Sequence, residues 1–192
     1  MSPCRFLLSA LALLTACTLA HAAPKDELHD AFAKFIAIKS FEATSIDVKK
    51  GKVVTTMHFV APDRYRIRTP DGQTQYIVGD AMFMEMNGQT MRIPVPGASK
   101  ITAQYRNEGF LREMEAGLVV KALPDETVDG QPARVYAYTV TDPVKADVKA
   151  WIARDTGLPM QVQSTGRFMG TTSTMLVRYS RFDDPSIRIE AP

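Results

Sequence analysis

Residues 79–93 read Gly79-Asp80-Ala81-Met82-Phe83-Met84-Glu85-Met86-Asn87-Gly88-Gln89-Thr90-Met91-Arg92-Ile93. Met82, Met84 and Met86 recur at a period of two, which on an extended strand sends all three side chains to one side of a sheet. Asn87-Gly88 supplies two neighbouring residues that tolerate positive φ, the chemistry of a tight hairpin turn. On the return strand Met91 and Ile93 fall on one face, and Thr90 and Arg92 on the other. The stretch predicts two paired antiparallel strands sharing one flexible, sulfur-rich apolar face. Such a face either fills an ordinary core or adapts to a variable ligand, because an unbranched thioether with three rotatable bonds fits irregular shapes.

Toward the N-terminus the same period persists. Residues 41–48, 53–60, 64–69 and 75–78 read as consecutive strands, separated at Lys50-Gly51, Ala61-Pro62-Asp63 and Pro70-Asp71-Gly72. Tyr65 and Ile67 alternate with Arg64, Arg66 and Arg68, so the arginines read as the solvated face of an antiparallel strand rather than an anion site. Before these strands the period is 3.6. Residues 26–39 place Leu28, Ala31, Phe32, Phe35 and Ile36 on one stripe, with Asp26 as N-cap or first-turn acid. Burying two Phe, a Leu and an Ile is worth about 6 to 10 kcal/mol before entropy is charged, so this helix is expected to dock on a sheet.

Toward the C-terminus, Pro94-Val95-Pro96-Gly97 reads as an irregular loop. A second helical region is expected over residues 102–116, with Tyr105, Phe110, Leu111 and Met114 as its apolar members. Gly109 interrupts it, so one bent helix or two short ones are equally readable, and Gly117 fits the stop. Strands return at residues 118–122, 133–141, 148–154, 160–164 and 171–182, with Asp129-Gly130 and Asp155-Thr156-Gly157-Leu158-Pro159 as turns. About ten strands, two or three helices and no βαβ rhythm give an antiparallel α+β domain without repeat or linker.

Residues 1–22 carry one cation, Arg5, then the apolar run Phe6 to Leu14, and end in small residues. That is the layout of a secretory signal, too short for a spanning helix. Two processing sites compete. Ala20-His21-Ala22 would release a soluble domain of residues 23–192, whereas Leu14-Thr15-Ala16-Cys17 resembles a bacterial lipobox, whose Cys17 would be lipidated after loss of residues 1–16. The only cysteines are Cys4 and Cys17, so the folded body has no thiol for a bridge, a metal or a nucleophile. Removing Arg5 from 23 cations and 21 acids leaves a net charge of +1, which is no electrostatic footprint for nucleic acid. With 45% hydrophobic and 23% charged residues, the composition is ordinary globular.

Catalytic patterns are missing from the sequence. His29 and His58 lie far apart, too few for a zinc set, and no G-x-S-x-G, H-E-x-x-H, P-loop or G-x-G-x-x-G occurs. Asp183-Asp184 and the crowd of Asp125, Glu126 and Asp129 read as solvated loops. No enzyme activity, metal or cofactor is expected, and a hydrolase built from carboxylates alone has no positive support.

The order of elements carries a resemblance. An export signal and an amphipathic helix come first, then strands leading to Ala61-Pro62-Asp63-Arg64-Tyr65-Arg66-Ile67 and Val78-Gly79-Asp80-Ala81-Met82-Phe83-Met84. Later comes Trp151-Ile152-Ala153-Arg154-Asp155-Thr156-Gly157-Leu158-Pro159. Together these resemble the LolA/LolB-like superfamily of periplasmic carriers that sort lipoproteins to the outer membrane, and their relatives. The resemblance covers nearly all of the chain after the signal segment. It implies a strongly curved, unclosed antiparallel sheet, a half-barrel, whose concave face is covered by helices acting as a lid. It also implies an apolar space between sheet and lid that takes acyl chains.

Combined with the periodicity, the resemblance names the expected pocket. Met57, Phe59, Tyr65, Ile67, Met82, Met84, Met86, Met91 and Ile93 form its sheet wall, and Phe32, Phe35, Phe110 and Met114 its lid wall. The expected ligand is acylated or lipidic, lipoproteins included, with inner- or outer-membrane proteins as further partners. A periplasmic monomer is expected, soluble or tethered through Cys17. The alternative is a periplasmic sensor or assembly factor that has a filled core and binds protein partners.

Overall fold

A computed structural model describes residues 23–86, 88–141, 145–168 and 170–192, with only the backbone described at Met86, Tyr105, Phe110 and Phe168. The expected signal segment and Cys17, together with Asn87, lie outside the described residues. Helix α1 (Pro24–Ala37) starts two residues earlier than its apolar stripe suggests, because Pro24 occupies the first turn, where a missing N–H costs nothing. Asp26 is an acid of that turn, not the cap. Strands β1 (Ser40–Asp47), β2 (Lys52–Val60), β3 (Arg64–Arg68), β4 (Thr74–Val78), β5 (Ala81–Met86) and β6 (Gln89–Pro94) follow as a meander. The methionine hairpin is β5–β6, and Gly88 of its turn has φ +74°.

Two short helices, α2 (Ala98–Tyr105) and α3 (Glu108–Glu115), replace the single region expected from residue 102. They break at Arg106-Asn107, not at Gly109. The Asn107 side chain caps α3 by accepting from the Gly109 N–H at 2.8 Å, and a Cβ on Gly109 would stand 2.9 Å from the capping Oδ1. The glycine therefore makes room for the cap of a helix it was expected to interrupt.

Strands β7 (Lys121–Val128), β8 (Gln131–Val140), β9 (Ala146–Ala153), β10 (Pro159–Phe168) and β11 (Thr171–Ser180) form a second meander. β7 is longer than the expected 118–122 segment and runs through Pro124. Its ladder with β8 shifts register between Leu123 and Glu126, and it is an edge strand, the two places where a strand tolerates proline.

All eleven strands join in one sheet of order β6-β5-β4-β3-β2-β1-β11-β10-β9-β8-β7, with every described pairing antiparallel. The two meanders meet where β1 pairs with β11. Chain order then forces a long crossing, because the segment after β6, at one edge, must reach β7 at the other. Laid flat, the sheet would separate those edges by roughly 48 Å at the usual strand spacing. The two eight-residue helices of the crossing span about 24 Å end to end, so a curled, unclosed sheet with α2–α3 bridging its concave side fits the connection.

α1 packs on β7, β10 and α3, while α2 packs on α3. Two apolar clusters fill the space beneath α1. Leu28 and Ala31 meet Tyr136, Ala150 and Ile152, and Phe35 joins Phe41, Ala43 and Phe59. A third cluster of Ala133, Val135 and Trp151, with Val128, Met160 and Leu176, lies on the opposite face of the same meander. Among the described residues, no helix is long and apolar enough to cross a membrane.

Candidate ligand-binding face

Cross-strand register decides which predicted residues share a face. Phe59 pairs with Tyr65 and Met57 with Ile67; Tyr65 then pairs with Ile77, and Ile77 with Met82. Met82 pairs with Ile93 and Met84 with Met91. Directly paired residues point to the same side, so Met57, Phe59, Tyr65, Ile67, Met82, Met84, Met91 and Ile93 form one continuous face on the helix-bearing side. The Met86 backbone occupies the next position of that face, and its side chain is outside the described residues, as is that of Phe110.

This face has two parts. Near β1 it is filled: Phe59 is 0% exposed, stacked 5.1 Å from Phe41 and 5.0 Å from Tyr65, with Phe35 4.9 Å from both Phe41 and Tyr179. Phe32 packs into the cluster beneath the first half of α1. Of the expected pocket lining, Phe59 therefore sits in packed core, and Phe32 and Phe35 are partly buried against the two clusters. Burial pushes the Tyr179 hydroxyl up to about 12, as it must where an ionised phenolate would lose its water. Further out, Ile67, Met82, Met84 and Ile93 are half-buried and Met91 is 60% exposed. α1 packs chiefly on α3, and on β7 and β10 of the second meander. In α3, Leu111 and Glu115 are the buried positions, and Met114 stands 56% exposed.

Besides the buried Leu111, polar contacts fasten the α2–α3 segment. Nη2 of Arg106 reaches the carbonyl oxygens of Phe35 at 3.3 Å and Ile38 at 2.6 Å, and also that of Ile36. These belong to the last turn of α1, where carbonyls have no helical partner and the helix dipole favours a cation. The same guanidinium lies 4.3 Å above the Phe59 ring, and burial holds its pKa below the usual arginine value. His29 Nδ1 and Glu115 Oε2 are 2.6 Å apart across α1 and α3, and Lys25 Nζ donates to the Ala116 carbonyl at 3.4 Å. The second Glu115 oxygen is buried without a protein partner. At the start of α2, Asp80 Oδ1 accepts from Ser99 Oγ at 2.7 Å and Ser99 N at 2.9 Å, and these bonds hold its pKa below the ordinary carboxylate range. Sequence reading missed Arg106 and the His29–Glu115 pair, since nothing in residue spacing announces a contact that only the returning crossover creates.

Two clefts lie elsewhere. One of about 590 Å³ sits between the β7–β8 and β9–β10 turns and has a mixed lining, with Ile46, Leu158 and Met160 beside Asp129, Gln161 and Arg178. The other, about 210 Å³, lies beside α1 and is rimmed by Glu27, Lys34, Arg134 and Arg154. On the methionine face the described side chains are half-buried or, at Met91, exposed. Among the described residues, no group of three or more His, Cys, Asp or Glu is placed to hold a metal.

With this geometry the chain can be set beside known structures. The lipoprotein LppX of Mycobacterium tuberculosis superposes with a TM-score of 0.64 at 12% identity, covering 87% of this chain and 98% of LppX. LprF of Mycobacterium bovis gives 0.63 at 10% identity, covering 88% and 96%. The fold is that of LppX and LprF. The matched structures also include a LolA superfamily protein from Nitrosomonas europaea, at a TM-score of 0.31 and 10% identity over 88% of this chain and 96% of that one. The unclosed α+β half-barrel expected from the sequence is the architecture present. No family model and no curated protein matches the chain.

Proposed function

We propose that the protein is an exported binder and carrier of acylated or otherwise lipidic ligands, lipoproteins among them. One observation carries this reading: Ile67, Met82, Met84, Met91 and Ile93 form an apolar face whose side chains are half-buried or exposed, beside a lid that hydrogen bonds help to fasten. A hydrocarbon chain laid on that face gains about 0.8 kcal/mol per buried CH₂. Opening the lid breaks the Arg106, His29–Glu115 and Lys25 bonds and uncovers Leu111. LppX is described as a lipoprotein, and the Cys17 lipobox gives this chain the same prospect. We assign residues 1–22 to the export signal and residues 23–192 to the binding domain, with Met57 and Tyr65 at the inner limit of the ligand face. The site of action is the periplasm, and no catalysis is assigned.

Organic extraction of the purified protein followed by mass spectrometry is expected to release lipid, and the stripped protein is expected to bind a fluorescent fatty acid. Met82→Asp is expected to abolish that binding while the thermal midpoint falls only modestly. Protein that holds no lipid and binds no fatty acid overturns the proposal.

One feature favours a second reading. The aromatic stack of Phe35, Phe41, Phe59 and Tyr179 is filled, as a sensor or assembly factor with a dry core would have it. That protein would use the same open face for a protein partner, and fatty acid would not compete.

A further inference from the structure

The antiparallel order sends alternate turns to opposite ends of the sheet, and those ends differ in charge. One end carries the β2–β3, β4–β5, β7–β8 and β9–β10 turns and the exit from β11. There Asp63, Asp80, Asp129, Asp155, Asp183 and Asp184 accumulate. The other end carries the β1–β2, β3–β4, β5–β6, β8–β9 and β10–β11 turns. Its exposed cations are Lys49, Lys50, Lys52, Arg68, Lys145 and Arg167. Lys39, Arg64, Arg154 and Arg181 also lie at the first end, so the two ends of a chain of nearly zero net charge differ by a few charges.

Three of the described acids at the cationic end are engaged locally. Asp47 lies 3.4 Å from Lys50 and accepts from its N–H, Asp71 is bonded by Thr69 and Gln73, and Asp147 accepts from Thr139. At this end the β1–β2 hairpin projects past β3, since Lys52, Val53 and Thr55 pair with β1 but not with β3, while on its other side the β10–β11 hairpin runs on from the level of Asp47 to Thr171. Val48, Val53 and Val54 flank the three lysines of the tip and are 42%, 44% and 41% exposed. Scattered exposed valines mean little, but three around one cationic turn make an amphipathic tip.

From this polarity and this tip we infer that the cationic end of the sheet docks on an anionic lipid surface. Lysines set among apolar side chains fit a bilayer interface, where the ammonium groups meet anionic headgroups and the stems and valines contact the acyl boundary. The acidic end would then face away, which orients the molecule. The β5–β6 turn lies at the docking end, so the open methionine face would meet the bilayer at its edge. The inference rests on charge and topology and holds whether or not that face binds lipid.

The test uses the full chain purified from detergent-free extract and co-sedimentation with vesicles of phosphatidylcholine, with or without phosphatidylglycerol. The unmodified protein is expected to prefer the anionic vesicles, and to release as salt rises from about 0.05 M to about 0.5 M. Each cation near an anionic surface contributes about fivefold, so Lys49→Gln/Lys50→Gln/Lys52→Gln is expected to weaken partitioning about 100-fold. A control of equal charge change, Lys39→Gln/Lys100→Gln/Arg188→Gln, is expected to change it no more than a few-fold. Thermal unfolding by circular dichroism checks that both variants fold. Equal binding to both vesicle types, an equal loss in both triple variants, or no loss in the hairpin variant overturns the inference.

Discussion

The half of the sheet under α1 and the half carrying β3 to β6 begin from the same kind of sequence and end differently. Both alternate apolar and polar residues, and both present one greasy face to the concave side. Under α1 that face meets a helix stripe and disappears into packed clusters around Leu28 and Phe35. On β5 and β6 the equivalent face keeps Met82 and Met84 half-exposed and Met91 largely in solvent. A period-two pattern specifies which residues share a side. It does not specify what will cover them.

Substitutions in the two halves should therefore differ most. Phe59→Ala removes a side chain with 0% exposure from an aromatic stack and is expected to cost about 3 to 5 kcal/mol in denaturant unfolding. Met91→Ala, at 60% exposure on the same face, is expected to stay within about 0.5 kcal/mol. Similar costs at both positions would mean that the outer face is packed in solution and would break the comparison.

The next effect sharpens how the lid is held. Arg106→Ala leaves the final carbonyls of α1 without their charged donor and is expected to cost about 2 kcal/mol. Hydrogen exchange should speed up in α2 and α3 more than in β8 and β9. A uniform change across the molecule would contradict a local fastening. Asn107→Ala removes the α3 cap and is expected to cost about 1 kcal/mol, again with exchange concentrated in that helix.

The smallest effects are those of pH. Asp184 is held down to about 2 by the Ser186 hydroxyl and N–H and by Arg181, and Asp80 is held below its ordinary value by Ser99. Both carboxyls are depressed in the folded state. Their contribution is complete above the ordinary aspartate value of 3.8 and is lost as pH falls through the folded values. Thermal midpoints should therefore decline between about pH 4 and pH 2. Ser99→Ala, by freeing Asp80, should flatten part of that decline, and an unchanged profile would remove Asp80 from the lid's anchoring.

Much of the fold was legible because it is local. Adjacent strands joined by Lys50-Gly51, Pro70-Asp71-Gly72 and Asn87-Gly88 leave little choice of pairing, and the helix stripe of Leu28, Ala31, Phe32 and Phe35 is unambiguous. The illegible parts depend on distant contacts. β7 looked short because Pro124 reads as a breaker unless its edge position and bulge are known. Phe59 was read as lining because composition does not reveal that Phe35 of α1 and Tyr179 of β11 pack against its cluster. Arg106 was missed because its partners lie about seventy residues earlier in the chain. The methionine face was placed correctly as a face, and its openness became visible only with the position of α1.

The claim that matters most is that the uncovered face between β3 and β6 is where a hydrocarbon chain lies. Photo-crosslinking with a diazirine-bearing fatty acid, followed by peptide mapping, tests it directly. The account predicts labels on the peptides carrying Met82, Met84 and Met91, diminished by Met82→Asp. Labels confined to the turns around Asp129 and Asp155, or no specific labelling, would contradict it.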